Sequence, residues 1–130
     1  MLPLLVTAAI LRDAGKVLIT RRPEGRPHAG MWEFPGGKMD DGETPQDCLR
    51  REIVEELDLR IEVGSIFEVA HYRYEWGPVL ILAYECRPLS ECIRNVEVAE
   101  HRWVAPSDLV EYTLLPADRP IIDKLLLGNG

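Results

Sequence analysis

Two short apolar runs, residues 4–11 and 17–20, flank Asp13-Ala14-Gly15-Lys16. Strand-length runs on either side of a Gly-containing connector predict a β-hairpin. Residues 23–30 hold two Pro and two Gly and predict a loop, followed by a short apolar stretch at 31–34 that Pro35-Gly36-Gly37 stops. The clearest helix comes next. Thr44 suits its N-cap, Pro45 its first turn, and Asp47 the positive end of its dipole. Leu49, Ile53 and Leu57 recur every fourth residue as the buried stripe, and Asp58 falls where a left-handed cap residue stands. Beyond it Ile61, Val63, Phe67 and Val69 alternate with polar positions such as Glu62 and Glu68, the period of a half-buried strand. Residues 79–86 form a second strand-like run, with Glu75-Trp76-Gly77-Pro78 as the turn between the two. Residues 102–104 suit a short strand, and residues 106–110 and 117–127 suit helices, the latter with Ile121, Ile122, Leu125 and Leu126 available for burial.

The chain has 130 residues, the size of one domain, and shows no repeat, low-complexity segment or linker. Hydrophobic residues at 46% and charged residues at 28% argue against intrinsic disorder. One α+β domain spanning 1–130, with a mixed sheet between helices, is the expected form. Asp and Glu outnumber Lys and Arg by 22 to 15, a net charge of −7, which argues against a duplex nucleic-acid binder. The apolar run from Leu2 to Leu11 has Pro3 and Thr7 inside it, lacks a basic start, and falls far short of the roughly 20 residues of a membrane span. Cys48, Cys86 and Cys92 form no CxxC pair and read as reduced thiols, which with the lack of a span predicts a cytoplasmic protein.

Candidate chemistry lies on the first helix. At about 100° per residue, Glu52, Glu55 and Glu56 fall within an arc of about 100°, beside the Leu49/Ile53/Leu57 stripe. Glu52 and Glu56 are an i,i+4 like-charge pair, which costs a helix a few tenths of a kcal/mol. Such a face is either solvated, with Arg50 and Arg51 as local partners, or a ligand set. Asp40, Asp41 and Glu43 in the preceding loop add carboxylates, and oxygen donors of this kind suit hard cations such as Mg2+ or Mn2+. Zinc is disfavoured, because His28, His71 and His101 lack ligand spacing and the cysteines are scattered.

Gly37, five residues, Glu43, seven residues, then Arg51-Glu52-Ile53-Val54-Glu55-Glu56-Leu57-Asp58-Leu59 resembles the Nudix box, Gly-x5-Glu-x7-Arg-Glu-U-x-Glu-Glu-x-Gly-U with U aliphatic. Every fixed position matches except the final Gly, which here is Asp58. Ile19-Thr20-Arg21-Arg22, Trp32-Glu33-Phe34-Pro35-Gly36-Gly37-Lys38 and Leu115-Pro116-Ala117-Asp118-Arg119-Pro120 resemble the MutT-like branch of that family. The fold this implies is a Nudix-type α/β/α sandwich. The activity it implies is Mg2+-dependent hydrolysis of a (deoxy)nucleoside triphosphate to the monophosphate and pyrophosphate, with Mn2+ as a substitute ion. An oxidised guanine nucleotide of the 8-oxo-dGTP type leads, in a nucleotide-pool sanitising role. CTP or methylated dCTP is the alternative, then a nucleoside diphosphate-linked compound such as ADP-ribose, and last a non-catalytic nucleotide sensor. A monomer or homodimer acting on a small nucleotide is expected.

The resemblance also implies roles. Glu52, Glu55, Glu56 and the Gly36 carbonyl would hold the metal ions, and Arg51 would orient the box carboxylates. Glu97, six residues before Trp103, would be a further metal ligand or the general base, with Glu100 as its rival. Arg22 and Lys38 would contact phosphates, or stand as exposed basic residues in loops. Phe34 and Asp118 would line the base pocket. An ionised Asp118 only accepts hydrogen bonds, so it suits the N1–H and N2–H2 edge of guanine and the amine of cytosine alike. As a plain structural residue it would cap the last helix.

Overall fold

The computed structural model describes residues 1–128. Seven strands make one mixed sheet: β1 (Leu4–Asp13), β2 (Lys16–Arg21), β3 (Trp32–Glu33), β4 (Gly36–Lys38), β5 (Ile61–Tyr74), β6 (Gly77–Pro88) and β7 (Glu100–Val104). Helix α1 (Pro45–Leu57) and helix α2 (Arg119–Gly128) pack against it, with 3-10 turns at Pro106–Glu111 and Pro116–Asp118. The main path runs β3-β2-β1-β6-β5, while β4 pairs with β1 and β7 with β2. Only β1 and β6 run parallel, from Leu4 opposite Val79 to Leu11 opposite Cys86.

The apolar run that opens the chain is central in this sheet and buried on both sides. Ala8 and Ile10 join Val17, Ile19, Ile81 and the α2 residues Ile121, Ile122 and Leu125 in one core. Ala9 and Leu11 join Leu18, Tyr84 and the α1 stripe Leu49, Ile53 and Leu57 in the other. Two cores on opposite faces of one sheet are the expected α/β/α sandwich. Helix α1 starts and stops where the chain chemistry says. Thr44 Oγ1 accepts from Asp47 N–H at 3.1 Å, and Asp58 takes the left-handed conformation (φ 51°, ψ 41°) with its N–H on the Val54 carbonyl.

Two expectations need correction. The alternating stripe of β5 does not stay on one face: Ile61 and Val63 pack with the α1 core, Phe67 with the α2 core, and Val69 is 47% exposed. The register against β6 shifts between Val63 and Ile66 and again between Ile66 and Glu68; the first shift exchanges the faces of the residues that follow, Phe67 among them, and the second restores them. The last segment is not one helix from 117. A 3-10 turn covers Pro116–Asp118 and α2 begins at Arg119, which leaves Leu126 at 47% exposure rather than buried. Residues 106–110 likewise lie in a 3-10 turn. Among the described residues the three thiols are free, and no helix is long and apolar enough to cross a membrane.

Candidate active site

The Gly36-Gly37 turn places the first helix. Strand β4 pairs with β1, Gly37 opposite Thr7 and Gly36 opposite Ala8. A Cβ on Gly36 would collide with the Thr7 backbone, and one on Gly37 with the Glu52 carboxylate. The absence of both side chains lets the helix carboxylates lie directly on the strand. Arg51 ties this corner together. Its guanidinium donates to both oxygens of Glu43 (2.7 and 2.9 Å), to Glu52 (3.4 Å), to Glu55 (3.2 Å) and to the Lys38 carbonyl (3.2 Å). The side-chain hydrogen bonds from Arg51, joined by the Asp40 N–H, hold the Glu43 carboxyl down at about 2.

That depression has a testable consequence. A carboxyl depressed in the fold contributes stability above its unfolded value, 4.5, and loses it as pH falls toward 2. Thermal melts of Glu43→Gln are therefore expected to lie below wild type at pH 7, and the gap should close between pH 4.5 and pH 2. A gap that stays constant over that range would show that the Glu43–Arg51 pair does not carry the effect.

A cavity of about 660 Å3 opens beside the corner, within the range typical of small-ligand sites. Arg22, Phe34, Gly36, Lys38, Glu52, Glu56, Glu97 and Asp118 all line it. Glu56 is partly buried. Burial, then the carboxylates of Glu33 and Glu52, push it up to about 9 against a backbone hydrogen bond from Gly36, with Glu97 adding to the rise. Burial also raises Glu52, opposed by Arg51. Glu55 differs: it is exposed, turned to Arg51, and does not line the cavity. Of the two rival acids, Glu97 reaches the cavity. Glu100 is engaged by Arg102 (2.6 Å) and Arg21 (3.3 Å) on β7, and these partners hold its carboxyl below the usual range.

Arg22 is not free in this state. Its Nη1 donates to both Glu33 oxygens (3.0 and 3.1 Å) and its Nε to the Pro27 carbonyl (2.6 Å). Lys38 is exposed on the cavity wall. Asp118 is buried at 4% exposure, and its Oδ2 accepts the Phe34 N–H at 3.4 Å, so the described contacts direct it into the cavity rather than onto the helix end. Burial, reinforced by Glu33, raises its pKa well above the usual aspartate value. Glu33 lies between the two groups of acids, since it acts on both Glu56 and Asp118, and burial raises its own pKa against Arg22. Sequence reasoning gave it no role. The signal was there in Trp32-Glu33-Phe34, where period-two alternation turns the acid away from both buried aromatics. Tyr74 and Trp76 stack at 5.5 Å and 9° and line the cavity with His28.

Divalent-ion chemistry fits these donors. They are oxygens only, and the mutual crowding that raises Glu56 is what a cation among them relieves. Among the described residues no three His, Cys, Asp or Glu side chains stand together as a closed metal cage. Mg2+ seldom needs one, because it keeps several waters and uses one or two carboxylates with substrate phosphates.

A mixed sheet between two helices, with a carboxylate-bearing helix laid on a Gly-Gly turn beside a ligand-sized cavity, defines a Nudix-type hydrolase. The NUDIX domain model matches residues 1–125, and the chain belongs to that family of hydrolases, which generally use divalent cations. It is 32% identical over 124 residues to the CTP pyrophosphohydrolase of Escherichia coli (strain K12), covering 93% of this chain and 90% of that protein. It is 34% identical over 125 residues to the 8-oxo-dGTP diphosphatase of Haemophilus influenzae, with the same two coverages of 93% and 90%. Its structure resembles the MutT NUDIX hydrolase from Burkholderia pseudomallei with a TM-score of 0.86 at 27% identity, over 95% of this chain and 98% of that one.

Proposed function

We propose that the chain hydrolyses a nucleoside triphosphate to the monophosphate and pyrophosphate in a Mg2+-dependent reaction, with an 8-oxo-dGTP-type nucleotide as the favoured substrate. The observation that carries the proposal is one cavity lined at once by Glu52, Glu56 and Glu97 and by Phe34 and Asp118. It offers oxygen donors for a cation–phosphate unit and a buried polar group beside an aromatic ring for a base. When bound, Mg2+ supplies charge neutralisation of the phosphates and a more acidic water.

The chain's own residues do the rest. Glu52 and Glu56 are the inward carboxylates of the ion site, with Gly36 beside Glu56. Glu55 would have to leave Arg51 to join them. Arg51 fixes the side-chain rotamers of Glu52 and Glu43. Glu97 is the group that takes the proton of the attacking water. Arg22 and Lys38 grip the phosphates, Arg22 exchanging the Glu33 carboxylate for phosphate oxygens, which its planar fork matches equally well. Little covalent work is asked of the protein, because phosphoryl transfer is mostly positioning and charge stabilisation.

CTP is the second reading. It is favoured by the Escherichia coli relative and by Asp118, whose raised pKa lets it donate as well as accept. The test incubates purified protein and Mg2+ with 8-oxo-dGTP, dGTP, CTP and 5-methyl-dCTP. Monophosphate and pyrophosphate are expected in equal amounts, with the highest kcat/KM for 8-oxo-dGTP. Orthophosphate as the first product would overturn the cleavage position, and a higher kcat/KM for CTP would replace the favoured base.

A further inference from the structure

Asp58 is the residue at which the chain leaves the Nudix box, and the structure places it against the loop that carries Glu97. The last carbonyls of any α-helix lack partners within the helix. In α1 the Val54 carbonyl is taken by the Asp58 N–H, and the last two are taken by the 94–97 loop: Arg94 N–H donates to the Leu57 carbonyl (2.9 Å), and Val96 and Glu97 N–H both donate to the Glu56 carbonyl (3.0 and 3.1 Å). Glu56 thus presents its carboxylate to the cavity and its carbonyl to the loop, so Glu97 is registered against it through the backbone. On the far side the loop is tied again, by Ala99 N–H to the Arg21 carbonyl (2.9 Å) and by Asn95 to His101 (2.6 Å).

Helix α1 has no basic residue in its last turn. Arg94 supplies that charge from outside, at the negative end of the dipole. Its Nη1 lies 3.5 Å from Asp58 Oδ2. A glycine at position 58 would satisfy the left-handed backbone at least as well but would offer Arg94 nothing. We propose that the Asp58–Arg94 pair is a latch that holds the 94–97 loop on the end of α1, which makes Asp58 and Arg94 positioning residues acting through Glu97. The inference rests on the role given to Glu97 above, and concerns a residue at which the box pattern is not met.

Both members are exposed, and an exposed pair contributes little to global stability. The expected effect is therefore local. Asp58→Asn keeps a side chain that tolerates the left-handed region while removing the charge. It is expected to leave Tm unchanged or slightly raised, to lower kcat about two- to five-fold, and to leave KM for the nucleotide unchanged. Arg94→Gln should match it, Arg94→Lys should retain most of the turnover, and the Asp58→Asn/Arg94→Gln double variant should fall no further than either single one.

An activity-independent readout accompanies these. Amide hydrogen exchange at Arg94, Val96 and Glu97 should accelerate in Asp58→Asn while the α1 core amides, such as Ile53, stay protected. Unchanged exchange at those three amides would overturn the latch, as would additive losses in the double variant. A wild-type protein without triphosphate hydrolysis would instead sink the proposed function, and the exchange measurement would still decide the latch.

Discussion

Replacing Glu56 by Gln is expected to cut turnover by about 10²–10³-fold while making the metal-free protein more stable. Both effects have one cause. Burial and the neighbouring acids push Glu56 up to about 9, so the fold holds a carboxyl that would sooner be neutral or paired with a cation. For a group raised in the fold, the linked stability is fully present below the unfolded value of 4.5 and is lost as pH climbs through about 9. Gln has the same shape and no charge, so it escapes that loss. Thermal melts in chelator should show the two proteins alike near pH 4 and Glu56→Gln ahead by about 1–3 kcal/mol at pH 7, with the gap widening to pH 9. Magnesium should reverse the order, since a ligand bound only by the native state stabilises it. Wild type should gain from Mg2+ and the variant should gain much less. A variant that gains as much stability from Mg2+ as wild type would separate Glu56 from the cation site, and one with no stability gain in chelator would overturn its raised pKa.

Local chemistry made the active helix readable before any coordinates. Thr44, Pro45 and Asp58 state its ends, Leu49, Ile53 and Leu57 its buried face, and all of them depend on interactions within a few residues in the chain. The hairpin of β1 and β2 was legible for the same reason. What the sequence could not convey was long-range. The parallel seam between β1 and β6 joins residues more than 70 apart, and nothing in residues 4–11 names that partner. The two register shifts in β5 were hidden because a bulge preserves composition while exchanging faces, so an alternating stripe read as one surface when it serves two cores.

The candidate site divides along the same line. Helical spacing grouped Glu52, Glu55 and Glu56, of which Glu52 and Glu56 line the cavity and Glu55 turns to Arg51, whose role came with the box resemblance. Glu97 was already favoured over Glu100 by its spacing to Trp103 in the resemblance; what the sequence could not convey is that Glu97 lines the cavity while two arginines from β2 and β7 claim Glu100 across the strands. Arg22 was expected to face phosphate and in the structure holds Glu33, a partner across the β2–β3 hairpin. That ion pair is itself a reason to expect Arg22 to exchange one oxyanion for another when a phosphate arrives.

On the proposed reading Asp118 contacts the base, and removing its carboxyl should show it. Asp118→Ala is expected to lower kcat/KM by about 10–100-fold, because the base would lose hydrogen bonds to a buried partner. The products should stay the same. Burial, reinforced by Glu33, raises the pKa of this carboxyl well above the ordinary aspartate range, and in its protonated form it presents one O–H donor and one acceptor. Cytosine offers an amine and an unprotonated ring nitrogen, which match that pair only while the proton is present. For CTP, KM should therefore rise as pH rises and Asp118 ionises. Guanine and its oxidised form offer N1–H and N2–H2 to an ionised carboxylate and O6 with N1–H to a neutral one, so KM for 8-oxo-dGTP should change little over the same range. Asp118→Asn carries a permanent donor and acceptor. It should bind CTP without the pH dependence, which separates loss of a proton from loss of the side chain. An alanine variant with wild-type kcat/KM for every triphosphate would mean that the base is read elsewhere in the cavity, where the Glu33 carboxyl and the Tyr74–Trp76 stack are among the groups that line it.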